Sequence, residues 1–479
     1  MSSKFYITTT LPYVNADPHI GFALEIIQAD VIARSRTQMG NQVFFNFGTD
    51  EHGLKIYRQA QTLGKDPQTH CDEYAAKFDE LKQALNLSYN NFIRTTDQHH
   101  IQAAQYFWKL CQDRGDIYKA AYLMKYCVGC ELEKQDSELE NNRCPWHPDK
   151  DLEIIKEDNY FFRWSKYQQS LIAYYQQHPD FVVPTTKYNE IKTFVSGGLQ
   201  DFSISRIKEK MPWGIPVPDD PEHVMYVWFD ALINYISALG WPENLNKFTS
   251  YWGTKAYPNA IQVAGKDNLR QQTAMWQAML MSAGLPNTKQ IFIHGFLTVD
   301  GQKISKSLGN VINPINVAKK YGADTLRYYL LADVSPYSDG DYSQDKLENR
   351  YNADLANGLG NLVARVAKLC SQSQFDYPPV TTQPAFDSQI GQYLSEYRFD
   401  EALKYIWEQQ IKSADQYISE QKPWEIKGKK LQVILNDLVN RIRKIAFNLQ
   451  PFLPGTADKI QQQFQGPKIG VQPSLFPRL

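Results

Sequence analysis

Residues 4–52 read KFYITTTLPYVNADPHIGFALEIIQADVIARSRTQMGNQVFFNFGTDEH, and their pattern decides the fold. KFYITTT, rich in β-branched and aromatic residues, predicts a strand; Gly21 to Met39 predicts a helix, and QVFFNF predicts a second strand ending at GTDEHG. A strand, a helix and a strand in that order imply a parallel sheet. The alternation resumes at HVMYVWF running into DALINYISAL, at NAIQVA running into GKDNLRQQTAMWQAMLMSAG, and at KQIFIHGF. Between about Asp116 and Met211 it breaks, as an insertion into one α/β domain would make it break. From about Asp345 the pattern is helical, with Leu355, Leu359, Leu362, Val366 and Leu369 on one stripe and Leu435, Leu438, Ile442, Ile445 and Leu449 on another. That predicts a helical bundle.

A chain of 479 residues with 43% hydrophobic content can bury several cores, so two to four globular domains are expected. No apolar run is long enough to span a bilayer, and no basic or apolar leader precedes KFYITTT, so the expected location is the cytoplasm, away from membranes. Six cysteines are too few for a disulfide scaffold of this size, yet Cys127, Cys130 and Cys144 fall within eighteen residues. The net charge of −1 excludes a global basic field, although residues 350–479 carry 16 basic against 12 acidic side chains. The basic bias is confined to the helical part, and it is mild.

In an open parallel sheet, ligands bind beyond the carboxyl ends of strands, where helix N-termini present free N–H groups to anions. His19 and Gly21 fall at that place in the first strand-to-helix unit. A His there can donate to a phosphoryl oxygen, and Gly allows close backbone approach; a His capping the helix for structural reasons fits the tetrapeptide equally well. A second element favours phosphate chemistry. After FLTVDGQ, with Asp300-Gly301 as a tight turn, comes KISKS: Lys303 and Lys306, three apart on a loop with Ser305 between them, could neutralise the outer phosphates of a nucleotide. Cys127-x2-Cys130, thirteen residues, then Cys144-x2-His147 is a zinc pattern, because two chelating pairs close a tetrahedral site. Four protein ligands leave no open position, so a structural metal is expected.

These motifs together resemble the class I aminoacyl-tRNA synthetases, with their His-x-Gly-His and Lys-Met-Ser-Lys-Ser motifs, and within them the methionyl-tRNA synthetases. LPYVNADPHIG, NFGTDEHG, the Cys/His cluster, YVWFDALINYIS, GKD, KISKS, GNLVAR and KPW occur in that family's order, so the resemblance runs from about Lys4 to Arg478. It implies an α/β fold: a Rossmann-like catalytic domain in two halves, 1–115 and 216–295, split by a zinc-bearing insertion at 116–215. A lysine-loop and stem-contact region at 296–349, an anticodon-binding helical bundle at 350–465 and a tail at 466–479 would follow.

The reaction the resemblance implies is activation of methionine by ATP to methionyl adenylate and pyrophosphate, then transfer to the terminal adenosine of tRNA(Met), initiator and elongator. No protein nucleophile is required, so catalysis is positioning plus electrostatics. By the same resemblance, His19, Gly21, Lys303 and Lys306 are catalytic, and ATP, arriving with Mg²⁺, is held by these residues together with Gly265, Asp267 and Ser305. Asp50 would take the ammonium group of methionine. Leu11, Tyr13, Trp228, Ala231, Tyr235, Gln272 and Trp276 would line its side-chain pocket, which should be aromatic because a thioether is apolar and polarizable; as a bare pattern, Trp228 and Tyr235 read equally as core. Arg206 matches a position linked to the active site. Asn361, Arg365, Pro423 and Trp424 would read the anticodon, by edge hydrogen bonds and stacking. One structural zinc on Cys127, Cys130, Cys144 and His147, no large editing domain and a monomer complete the expectation.

Two departures stand out. Phe22 replaces the family's second His and can neither donate nor accept a hydrogen bond, and Gln271-Gln272 replaces a Phe-His pair after GKD. Loss of one such donor costs about 10²–10³-fold in rate if nothing replaces it. The competing readings are a catalytically impaired tRNA-binding paralogue, favoured by these departures, and another nucleotidyltransferase of the superfamily. Asp50, Lys303 and Lys306 oppose the first; the bundle with Asn361, Arg365 and Trp424 opposes the second.

Overall fold

The computed structural model describes residues 3–130, 132–134, 138–305, 309–373, 375–379 and 385–479, with side chains at 122–124, 132–133 and 155–157 excluded. The chain forms two compact units. One comprises Met1–Asp17, Gln42–Glu80 and Tyr89–Ile293; the other comprises Pro18–Asn41, Leu81–Ser88 and His294–Leu479.

The first unit is built on a six-stranded sheet of β1 (Lys4–Thr9), β2 (Gln42–Thr49), β3 (Asn91–Arg94), β4 (Val182–Val183), β5 (Ala260–Gly265) and β6 (Gln290–His294), in the order β3-β2-β1-β5-β6-β4. β1 pairs parallel to both β2 and β5, with Tyr6 opposite Phe44 on one side and Ala260 on the other. Near-continuous burial of β1 and β5, without polar alternation, is what a parallel sheet covered on both faces requires. The core around Trp108, Trp252, Trp276 and Tyr175 is fully buried and rich in rings packed edge to face. Within the insertion, Ile117–Cys127 pairs antiparallel with Glu153–Phe162, so the break in alternation marks a change of sheet type.

In the second unit, helix α1 (Ile20–Gln38) has no polar stripe: even Glu25, Gln28 and Asp30 are buried. A helix buried on most of its faces belongs in a core, and its buried polar groups then need partners. Asp30 meets Arg327 at 2.8 Å with both side chains fully buried. It also accepts from Arg34 at 2.7 Å and from the Ser88 amide and hydroxyl, each at 2.6 Å. Burial pushes the Asp30 carboxyl upward, but Arg327, Arg34 and Ser88 outweigh it and hold its pKa below the ordinary value. Arg327 spends its other donors on the carbonyls of Phe452 at 2.7 Å and Pro451 at 2.9 Å, joining α1 to the turn after the Gly428–Leu449 helix.

The helical region follows the predicted stripes. Leu435, Leu438, Ile442, Ile445 and Leu449 are all buried; on the earlier stripe Leu355, Leu359, Leu362 and Val366 are buried, but Leu369 is only partly buried and Cys370 takes the inner position. A π-helical stretch at Tyr351–Gly360, before the helix Asn361–Ser373, inserts extra residues per turn and rotates the face. GLGNLV therefore lies on helix, as its pattern predicts.

Candidate active site

Helix α1 begins at His19, which is extended (φ −123°, ψ 168°) and accepts the Gly21 N–H on Nδ1 at 3.1 Å. A cap of this kind satisfies one of the orphan donors at a helix start. The ring lies over Gly21: a Cβ there would stand 2.9 Å from His19 Cε1 and 3.0 Å from Nδ1. Glycine at 21 thus makes room for the imidazole. Burial pushes the His19 pKa down to about 4, so the ring is neutral at physiological pH. With Nδ1 accepting, the single ring hydrogen sits on Nε2, which makes that atom a donor. Phe22 packs against the same ring at 4.3 Å between centroids. The residue in place of a second His therefore supports the first by contact.

The lysine segment is attached to this helix start. Ile20 N donates to Ile312 O at 2.9 Å, and a Cβ at Gly21 would lie 3.9 Å from Ile304 Cδ1. Asp300 and Gly301, at φ 51° and 74°, form the tight turn with both central residues left-handed. Lys303 lies on a short strand, Gln302–Lys303, antiparallel to Leu297–Val299, where a loop was expected: the turn sets the register and carries pairing through Lys303. Asn310 then closes the bend, accepting from Ser305 N at 2.8 Å and donating to Lys303 O at 3.0 Å. Lys306, Ser307 and Leu308 lie outside the described residues. His294 Nε2 stands 3.0 Å from Glu25 Oε2, a further link between α1 and the chain entering this segment.

In the first unit, Asp50 and Tyr13 form a parallel bridge, with Asp50 N donating to Pro12 O at 3.0 Å and Val14 N donating to Asp50 O at 3.2 Å. The segment Leu11–Tyr13 is thus held against the end of β2, and the Asp50 side chain is buried. Tyr235 and Trp276 meet edge to face at 5.8 Å, and Ala231 is buried while Trp228 is half-buried. Gln271 and Gln272 begin a π-helical turn, Gln271–Met275, leading into the helix Trp276–Ala283. Gln272 Nε2 donates to the Tyr235 hydroxyl at 2.6 Å. Gly265 ends β5, and the exposed Asp267 follows in a short 3₁₀ turn. Buried Arg206 donates to Ser205 O at 2.7 Å and lies 4.2 Å from the Tyr226 ring centre.

Sequence reasoning did not find the buried chain beneath Ala231. Asp230 accepts from His52 Nδ1 at 2.6 Å and pairs with His100 Nε2 at 2.8 Å, while His100 Nδ1 meets Ser237 Oγ at 2.8 Å. Burial opposes its charge, but the two histidines outweigh that and keep the carboxyl pKa below the usual range. Three of its members, His52, Asp230 and Ser237, sit inside GTDEHG and YVWFDALINYIS; nothing in the pattern pointed at His100. Glu51 is likewise engaged, gripped bidentately by Arg94 at 2.7 and 2.9 Å.

The Cys/His cluster closes as its spacing predicts. The ligand atoms of Cys127, Cys130, Cys144 and His147 all lie within 4.8 Å of one another. Cys130 and Cys144 sulfurs are 3.7 Å apart, and His147 Nδ1 is 3.8 Å from Cys127 Sγ and 4.0 Å from Cys144 Sγ. A zinc–sulfur bond of about 2.3 Å gives a tetrahedral edge of about 3.8 Å, so the donor set fits that ion. Gly129 is required here, because a Cβ would lie 2.4 Å from the His147 ring.

In the helical region Trp424 follows buried Pro423 in a 3₁₀ turn and is 58% exposed. Asn361 is exposed, and Arg365 is salt-bridged to Asp415. Among the described residues no helix is long and apolar enough to cross a membrane.

Residues 5–151 and 130–367 match the family of class I tRNA synthetases for methionine, "tRNA synthetases class I (M)". The chain is 44% identical to a methionine–tRNA ligase of Thermotoga maritima, over 95% of this chain and 74% of that protein. It is 43% identical to one from Thermosynechococcus vestitus, over 100% of this chain and 93% of that protein. A solved structure of Mycobacterium tuberculosis methionyl-tRNA synthetase in complex with methionyl-adenylate is similar at a TM-score of 0.90 and 34% identity, covering 99% of this chain and 100% of that one.

Proposed function

The chain belongs to the methionine group of the class I tRNA synthetases, and on that premise we propose how its own residues carry out the ligation of methionine to tRNA. The enzyme is a methionine–tRNA ligase, forming methionyl adenylate from methionine and ATP before transfer. The methionine carboxylate attacks the ATP α-phosphorus in line, the bond to the β-phosphate oxygen breaks, and pyrophosphate leaves with the electron pair. His19 Nε2–H donates to a phosphoryl oxygen; Lys303 and Lys306 neutralise charge on the leaving phosphates, Ser305 binds them by hydrogen bonding, and Mg²⁺ accompanies ATP. Gly21, Gly265 and Asp267 hold the nucleotide.

Asp50 takes the substrate ammonium group, and Leu11, Tyr13, Trp228, Ala231, Tyr235, Gln272 and Trp276 take the side chain. Asn361, Arg365, Pro423 and Trp424 read the tRNA(Met) anticodon, initiator and elongator alike. Zinc on Cys127, Cys130, Cys144 and His147 supplies structural cross-linking of the insertion, which spans 116–215 in this reading. A cytoplasmic monomer, with catalytic segments 1–115 and 216–295, a lysine-loop region at 296–349, an anticodon bundle at 350–465 and a tail at 466–479, completes it.

One observation carries the catalytic assignment: the hydrogen-bonded cap at Gly21 leaves neutral His19 as a donor on Nε2. Amino-acid-dependent exchange of labelled pyrophosphate into ATP tests it. Exchange driven by methionine in the natural protein, with little gain in Phe22→His, is expected. No exchange in the natural protein, restored by Phe22→His, would make the chain an impaired, tRNA-binding relative.

A further inference from the structure

Two segments of the first unit carry residues assigned to methionine, and one buried carboxylate ties them together. Asp50 and His52 follow the end of β2, while Trp228 and Ala231 flank Asp230 on the helix Val227–Ala231. Five residues make little more than one turn and cannot sustain a helix alone, so this one stands where its tertiary contacts put it. Asp230 is fully buried and supplies two of those contacts: Oδ2 accepts from His52 Nδ1 at 2.6 Å and Oδ1 from His100 Nε2 at 2.8 Å. A buried carboxylate is costly unless its oxygens are met, and hydrogen bonds to an ionised group are about twice as strong as neutral ones. The His52 segment is anchored separately. Glu51 N donates to Thr95 Oγ1 at 2.9 Å, Arg94 grips the Glu51 carboxylate, and Gly53 N donates to Trp213 O at 3.2 Å. His52 is thus held at the end of the sheet, and its bond to Asp230 reaches across to the helix.

We propose that His52 and Asp230 are positioning residues that fix the separation between the ammonium site at Asp50 and the side-chain wall at Trp228 and Ala231, and so set the length of side chain the enzyme accepts. A substrate held at both ends is measured by the distance between its anchors. A rigid separation rejects a side chain one methylene too long by overpacking, and a loose one admits it. His100, which meets Ser237 Oγ at 2.8 Å through Nδ1, steadies the same carboxylate by its second oxygen. The inference rests on the reading that Asp50, Trp228 and Ala231 bind methionine, and it gives His52 and Asp230 a part in specificity that needs no substrate contact.

The test is pyrophosphate exchange with methionine and with ethionine, its S-ethyl homologue, read as the ratio of their kcat/KM values, which cancels any loss of folded protein. His52→Phe keeps a ring beside Trp213 but offers Asp230 no donor. It is expected to lower the ratio about tenfold, at the lower end of the roughly 10- to 200-fold that one methylene is worth in an apolar pocket. His52→Ala carries the same expectation and replaces it where the phenylalanine variant does not fold. His52→Asn, whose Nδ2 can take the place of Nδ1, is expected to retain the natural ratio. Unchanged ratios in His52→Phe and His52→Ala, or a ratio lowered equally in His52→Asn, would overturn the inference; a raised methionine KM in Asp50→Asn would then leave the pocket reading standing. An unchanged methionine KM in Asp50→Asn would remove Asp50 from the ammonium group, and the inference with it.

Discussion

The His19 imidazole lies over Gly21 and accepts its amide hydrogen at 3.1 Å, so one contact caps the helix, excludes any side chain at 21 and fixes which ring nitrogen carries the proton. Gly21→Ala places a methyl within 3.0 Å of the ring and must displace it. Because alanine favours helix, stability should hold while exchange falls by up to about 100-fold, the effect of misplacing a positioned group by an ångström. Melting curves beside exchange rates check this.

The His19 pKa of about 4 lies below the value of a free imidazole. Between the two values the unfolded chain binds the extra proton, so stability rises with pH across that window and is lost as pH falls from 6.5 towards 4. Its contribution is at most about 3 kcal/mol. Imidazole NMR should show His19 neutral down to about 4, and His19→Asn should flatten this part of the pH–stability curve.

Arg327→Met leaves the buried Asp30 carboxylate without its principal partner. Breaking such a pair costs about 3–5 kcal/mol, which denaturant unfolding would register. The Asp30 carboxyl is held below its ordinary pKa, so its contribution is present at neutral pH and disappears as pH falls through the depressed value. The acid limb of the Arg327→Met stability curve should be correspondingly shallower.

Elemental analysis should find one zinc per chain. Cys144→Ser removes a buried ligand of the cluster and should abolish that zinc, lowering the melting temperature, because binding to a folded donor set is itself folding free energy.

On the proposed reading, in which Trp424 stacks on an anticodon base, Trp424→Ala should separate RNA reading from activation. Loss of a stacking face costs about 1–3 kcal/mol, so charging of tRNA should fall roughly 5- to 100-fold while methionine-dependent exchange is unaltered. The ring is 58% exposed, so stability should scarcely change.

The opening pattern of strand, helix and strand, the Asp300-Gly301 turn and the Cys/His spacing determined the parallel sheet, the tight turn before the lysines and the metal-ligand cluster. These are local matters: periodicity decides which face a residue takes, left-handed angles demand Asp-Gly, and chelating pairs need fixed short separations. Only the tertiary structure decided that α1 belongs with residues 294–479, that Leu369 yields the inner position to Cys370, and that Lys303 lies on a strand. It alone brought His52 and His100 to Asp230. Polar side chains buried across such separations must satisfy one another far from water, and no periodicity records the pairing. Sequence shows which groups are polar; the fold decides which of them are left to meet.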